Sequence, residues 1–257
     1  MSIIRKTPEE LEKMRRSGLL VYQILHKLGE MATEGISTQD LEIAAVKMIA
    51  DAGATPAFQG YYVPAAGERY KYVLCTSVNE EIVHGMPSPK RILKNGDILS
   101  IDTGVKLNGF YGDSALTVGI GQISDQAKRL MKVTEDSLEL AIDLVREGNR
   151  LSEVCAVVEK YVVSNGFSIV REYVGHGIGS QLHEEPQVPN YVDKKGDNPR
   201  LREGMVLAIE PMVNAGKAAT KVRKDKWTAV TQDNSYSAHF EHCVAVTKNG
   251  PWVLTRP

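Results

Sequence analysis

Asp102 and Asp113 flank the dipeptide Asn108-Gly109 in the segment IDTGVKLNGFYGDSA. Asn-Gly is the strongest short signal for a two-residue hairpin loop. With those two residues as the loop, Leu107 pairs with Phe110 and Asp102 falls opposite Ala115. Asp113 then stands diagonally from Asp102 on the same face, and such neighbours are about 7–8 Å apart at the backbone. Two carboxylates so placed can converge on metal ions. The apolar run Ile98-Leu99-Ser100-Ile101 before Asp102 argues for burial, where a carboxylate is costly unless a cation satisfies it. On the hairpin alone, two aspartates that merely solvate an exposed face are an equally good reading.

Further candidates follow in the second half of the chain. Glu210 ends the apolar run MVLAI, Glu241 sits in the alternating segment SAHFEHCVAV, and His176 lies in YVGHGIGSQLHEEPQ. Four carboxylates and one imidazole suit divalent Mn, Fe, Co or Zn better than a thiolate site does. Five such ligands exceed what one catalytic zinc takes and point to two metal ions. His183 follows His176 by seven residues without an HExxH or CxxC partner. His239 and His242 flank Glu241, and on a strand one of them must point away from it. Cys75, Cys155 and Cys243 are too few and too scattered for a disulfide framework or a structural zinc site.

The elements that must position these residues repeat themselves. Thr7-Pro8-Glu9-Glu10 has the chemistry of a helix start and predicts a helix to about Lys27, with Met14, Leu19, Val21, Leu25 and Leu28 among its apolar positions. Ser37 predicts a second helix to about Ala52, Ser124 a third to about Arg146, and Ser152 a fourth ending near Gly166. Glu34-Gly35, Asp40, Lys47 and Gly53 recur 113 residues later as Glu147-Gly148, Glu153, Lys160 and Gly166. LKNGDILSID (93–102) aligns without a gap on LREGMVLAIE (201–210). Two ordered echoes predict an α+β fold of two related halves, roughly 1–122 and 123–257, within one catalytic domain. Each half would pack a helix pair on antiparallel strands, and the sheets would form one continuous floor. Asp102 and Glu210 are then equivalent carboxylates facing a shared cleft.

A net charge of −1 gives no global pull toward nucleic acid or membrane. No apolar run approaches membrane-spanning length, and the N-terminal MSIIRKTPEELEKMRRSG lacks a signal-peptide core. A cytoplasmic protein is the expectation. The basic clusters PKRILK (89–94) and KVRKDK (221–226) read as solvated faces, with ribosomal RNA as the alternative partner.

The chain resembles the bacterial-type, type I methionine aminopeptidases, within the metallopeptidase family that also holds proline aminopeptidases and prolidases. NEEIVHGMP (79–87), DTGVKLNGFYGDSA (102–115), YVGHGIGSQLHEEPQVPNY (173–191), IEPMVNAG (209–216) and SAHFEH (237–242) match that family's motifs in order. The resemblance covers nearly the whole chain and implies the duplicated "pita-bread" fold, with a pseudo-twofold axis and a mainly antiparallel central sheet.

It also implies that Asp102, Asp113, His176, Glu210 and Glu241 bind two divalent cations, Asp113 and Glu241 bridging them. A metal-bridging hydroxide would attack the first peptide bond of an N-terminal Met peptide or nascent chain with a small second residue. Glu210 would shuttle the proton, and His84 and His183 would hydrogen-bond the reacting amide. Phe58, Tyr61, Cys75, Leu182 and Trp227 would line the methionine pocket together with those two histidines. A monovalent cation would sit on backbone oxygens near Asn79, Glu81 and Ser237. A monomer with at most transient ribosome contact is implied.

The hairpin YVPAAGERYKY (62–72) is longer than in some relatives, Leu182 replaces an aromatic residue, and Gly104 stands where some relatives carry a hydroxyl. An X-Pro peptidase of the same family or a scaffold without catalysis are the rival readings. The five ligand positions with His84 and His183 argue against the second.

Overall fold

The computed structural model describes residues 3–64 and 66–257; Ala65, inside the 62–72 segment, and the first two residues of the N-terminal stretch lie outside them. Among the described residues four helices, α1 (Pro8–Met31), α2 (Thr38–Asp51), α3 (Asp125–Asp143) and α4 (Leu151–Ser164), cover antiparallel ladders. Thr7 and Ser37 cap α1 and α2, with Glu10 and Asp40 returning a carboxylate to the cap backbone, and Ser124 caps α3. Helix α1 runs a turn beyond the expected end because Leu25 and Leu28 continue its buried stripe.

Helix α4 begins before Ser152, with Arg150 at the N-cap. The Glu153 carboxylate accepts the Arg150 N–H at 2.5 Å, and Asn198 Oδ1 accepts the Ser152 N–H at 2.9 Å. Glu153 therefore does for Arg150 what Asp40 does for Ser37, whose N–H it accepts at 2.9 Å.

The echoes in the sequence recur as hydrogen bonds. Gly35 N–H donates to Leu93 O, and Gly148 N–H to Leu201 O, both at 2.9 Å. Bridges Ser37↔Ile92 and Arg150↔Arg200 follow the same correspondence. Gly96 N–H donates to Ile120 O and Gly204 N–H to Val246 O. Each half thus ties the start of its second helix to the turn that leads into its central strand.

The expected floor is divided. One ladder holds Cys75–Val78, Ile98–Leu107 and Phe110–Gly119, with Thr55–Pro56 at its edge. The other runs Glu184–Val188, Gly175–Gly177, Val206–Ile209, His242–Thr247, Gly250–Val253. They meet at the isolated antiparallel bridge Ala115↔Glu241. Beside it hydroxyls replace ladder bonds: Ser114 Oγ donates to Glu241 O at 2.5 Å, and Thr117 Oγ1 to His239 O at 2.7 Å. Side chains interrupt the backbone ladder there, so the two sheets form a seam.

Two apolar cores flank this seam. Val21, Leu25, Leu41, Leu99 and Ile101 belong to one, Leu130, Val158, Leu207 and Val244 to the other. The seam carries the carboxylates.

Candidate metal centre

The hairpin register is the expected one: Leu107 pairs with Phe110, Asp102 with Ala115 and Gly104 with Asp113. Asp102 and Asp113 therefore lie diagonally on one face. Glu241 joins them because its backbone pairs with Ala115 across the seam, its N–H donating to Ala115 O at 2.9 Å. Glu210 follows the last residue of Val206–Ile209, and Ala208 pairs with His176. All five predicted ligands line one cavity of about 400 Å³.

Asp113, His176 and Glu241 each bring one ligand atom within 4.8 Å of the others. His176 Nε2 lies 3.8 Å from Glu210 Oε1. Asp102 Oδ1, Asp113 Oδ1 and Glu241 Oε1 are buried with no hydrogen-bond partner. Unsatisfied carboxylate oxygens crowded together would be strongly destabilising in isolation, so this donor set fits divalent cations. Burial pushes all four carboxyls above their ordinary range, Asp113 up to about 8; neighbouring carboxylates add to the shift of Asp102, Glu210 and Glu241.

His176 is prepared to act as a ligand. Its Nδ1 lies 2.9 Å from Gly177 O, to which it donates, so the Nε2 lone pair is left facing the carboxylates. Burial and then His183 push its pKa down to about 3, so the ring is neutral. The glycines beside it allow a close approach of backbone. A Cβ on Gly175 would come within 2.3 Å of Ala208 O, and one on Gly177 within 2.2 Å of Glu185 O. They let three strands close around the imidazole.

The predicted catalytic and pocket residues gather at the same cavity, and Asn79, Glu81 and Ser237 do not line it. His84, Phe58, Tyr61, Cys75, Leu182, His183 and Trp227 all line it. Cys75 pairs directly with Asp102, which puts its thiol beside the carboxylates. His84 has φ +59° and is held neutral by burial, at about 4. His183 is open to the cleft, its ring 4.3 Å from that of His176. Asn79 and Ser237 are neighbours, Ser237 N–H donating to Asn79 O at 2.8 Å, and Glu81 Oε2 accepts the Val78 N–H nearby.

Three features went unread in the sequence. Val63, Ala66 and Tyr70 of the 62–72 segment form a wall of the cavity: Tyr70 is buried against Trp227 at 5.0 Å, and its hydroxyl donates to Leu74 O and Gly85 O. Glu42 of α2 accepts the N–H groups of Val73 and Leu74, fixing the approach to Cys75. His239 is 1% exposed, with Nε2 unpartnered 3.7 Å from Glu210 Oε2. Of the basic clusters, Arg223 is committed to Glu80 at 2.6 Å and to Glu81, and Arg91 stands 3.5 Å from Glu81.

The model of metallopeptidase family M24 matches residues 12–248. The chain belongs to this family. This metallopeptidase is 48% identical over 254 residues to methionine aminopeptidase 1 of Bacillus subtilis, covering 99% of each chain. It is 42% identical to the methionine aminopeptidase of Escherichia coli, covering 99% of this chain and 94% of that one. The solved methionine aminopeptidase of Thermotoga maritima superposes with a TM-score of 0.94 at 43% identity over the full length of both chains. A prolidase from Pyrococcus horikoshii shares the fold, with a TM-score of 0.78 at 22% identity, covering 98% of this chain and 63% of that one. As a member of family M24 the peptidase binds divalent metal. No helix among the described residues is long and apolar enough to cross a membrane.

Proposed function

We propose that this metallopeptidase removes the N-terminal methionine from peptides and nascent proteins. One observation carries the reading. Buried, unpartnered carboxylate oxygens line a cavity whose other wall holds Phe58, Cys75, Leu182 and Trp227. An apolar slot of this kind suits a thioether side chain, with sulfur against aromatic rings. The relatives named methionine aminopeptidase support the same activity.

Asp102, Asp113, His176, Glu210 and Glu241 would hold two divalent ions of Co, Mn, Fe or Zn. Asp113 and Glu241, at the seam, would be shared between them. The ions would supply an activated water at neutral pH and an anchor for the substrate's free amine. Glu210 takes up the proton and returns it to the departing amine. His183, with Nδ1 beside Tyr61, would present Nε2–H to the scissile carbonyl, and His84, which lines the same cavity, would bind the amide. A small second residue would be preferred, as the family resemblance implies; Tyr61 and His183, whose rings touch with centroids 5.1 Å apart, form one stretch of the cleft wall.

The paired hydrogen bonds of the two halves support a single catalytic domain, 1–257, duplicated at roughly 1–122 and 123–257. A monovalent cation on the backbone at Asn79, Glu81 and Ser237 would brace the seam. We infer a cytoplasmic monomer that meets its substrates as they are synthesised. Any ribosome contact would use the lysines of the basic clusters, since Arg223 and Arg91 face Glu81.

The test is hydrolysis of Met-Ala-Ser, Met-Leu-Ser and Ala-Pro peptides by metal-reconstituted protein. The expected result is cleavage of Met-Ala-Ser that disappears with chelator and with Glu210→Gln. Preference for Ala-Pro, or inertness with every divalent ion, would sink the reading.

A further inference from the structure

We propose that Lys6 is a positioning residue for His183, acting through a buried ion pair with Glu184. The proposal rests on the reading of His183 as the donor that faces the substrate.

Lys6 Nζ lies 2.6 Å from Glu184 Oε2, and both side chains are 3% exposed. The lysine is fixed at its own backbone, where its N–H donates to Gly204 O at 2.6 Å. Its ammonium also donates to Ile4 O at 3.2 Å. The second carboxylate oxygen of Glu184 accepts the Gln181 N–H at 3.1 Å. One carboxylate therefore closes the turn 181–184, whose two inner residues are Leu182 and His183.

Glycine at 179 makes room for this arrangement. A Cβ there would meet Lys6 Cε at 2.4 Å and Glu184 Oε1 at 2.6 Å. Gly179 O in turn accepts the Tyr111 N–H at 2.8 Å, which ties the turn to the strand that carries Asp113. The N-terminal segment, whose Ile4 lines a cavity with His176 and His183, thus straps the His183 turn onto the scaffold of the metal ligands.

A buried ion pair is a weak source of net stability, because desolvation offsets its attraction. What it offers is direction: a full charge in a dry site accepts few alternative geometries. The imidazole one residue away would need its placement held to a fraction of an ångström, since misplacement by about 1 Å can cost ~100-fold in rate.

The experiment compares Lys6→Met, His183→Ala and the double variant in the metal-loaded enzyme, with hydrogen exchange over 179–188 as a second readout. Lys6→Met is expected to lower kcat ~10–100-fold with little change in KM. It should loosen exchange in that turn and cost little further in the His183→Ala background. Wild-type kcat for Lys6→Met, or losses that multiply fully in the double variant, would overturn the proposal. If His183→Ala itself keeps wild-type kcat, the assignment of His183 fails instead, and the two failures are distinguishable. Should Lys6→Met not fold, Glu184→Gln carries the same comparison. Unfolding of both variants would show a pair that only holds the fold and would equally overturn the positioning role.

Discussion

The hydroxyl of Tyr61 lies 2.7 Å from Nδ1 of His183. Partial burial, reinforced by Tyr111, holds the phenol above its ordinary value, so it remains a donor at neutral pH. An Nδ1 that accepts leaves Nε2 protonated, the tautomer needed to polarise a carbonyl. As the donor in this bond, Tyr61 would favour that form of His183, and it also lines the cleft.

Tyr61→Phe removes the donor and keeps the ring. The hydrogen bond is worth about 0.5–1.5 kcal/mol, so kcat/KM on Met-Ala-Ser should fall ~2–12-fold, mostly in kcat. Steady-state kinetics decide it. Unchanged values would leave Tyr61 with packing alone.

Metal removal should make stability fall with pH above neutrality. In the metal-free fold Asp113 keeps its proton up to about 8, and burial and crowding raise Asp102, Glu210 and Glu241 as well. The unfolded chain releases those protons near pH 4. The folded state therefore binds more protons, and its stability declines as pH rises toward the folded value. His176 and His239, pushed down to about 3, act with the opposite sign. Their contribution is complete above about pH 6.5. Melting of chelated protein should therefore drop between about pH 6.5 and 8, and added divalent metal should flatten the slope, since cations favour the ionised ligands. A melting temperature that climbs over this window would contradict the burial argument.

What the sequence disclosed and what it withheld follow from the range of each interaction. The register that aligns Asp102 and Asp113 is set by Asn108-Gly109 and was legible, because a two-residue loop leaves no freedom between the strands. The helix caps were legible for the same local reason, and Arg150 was missed because Glu153 and the distant Asn198 do the capping. The break in the floor was not legible, since Ser114 and Thr117 reach across more than a hundred residues. Glu42 occupies a helix position that reads as ordinary polar surface, and only the tertiary fold aims it at two amides. The place of His239 was not legible either, since the offset that points to it emerges only from hydrogen bonds of the folded chain. Ile120 and Val246, 126 positions apart, accept equivalent bonds from Gly96 and Gly204. The same offset sets Ala115 against Glu241 and Asp113 against His239.

Glu42→Ala should destabilise the protein without touching the metal ligands. Val73 and Leu74 donate to its two oxygens at 2.9 and 3.0 Å in a buried setting. Leaving two such amides unpartnered costs about 1–3 kcal/mol each, so a loss of about 2–6 kcal/mol is expected in denaturant titration. Glu42→Gln, which keeps one acceptor oxygen, should lose less. Equal stability of Glu42→Ala and the parent would show that water reaches those amides.

His239 should matter to Glu210. Thr117 holds its backbone on both sides, accepting its N–H at 3.0 Å and donating to its carbonyl at 2.7 Å. Burial, with His84 nearby, keeps the ring neutral. The free Nε2 then faces a carboxylate 3.7 Å away, a gap that catalytic contacts commonly close once substrate or metal is bound. A neutral donor there would steady the Glu210 carboxylate without adding a charge to the metal centre. Losing such an outer partner typically costs 10–100-fold in metal affinity or activity. His239→Leu is expected to fall in that range, and His239→Gln, which keeps an N–H donor, to recover most of it. Calorimetric metal binding and kcat, read together, check this. A His239→Leu variant that matches the parent in both would reduce the histidine to core filling.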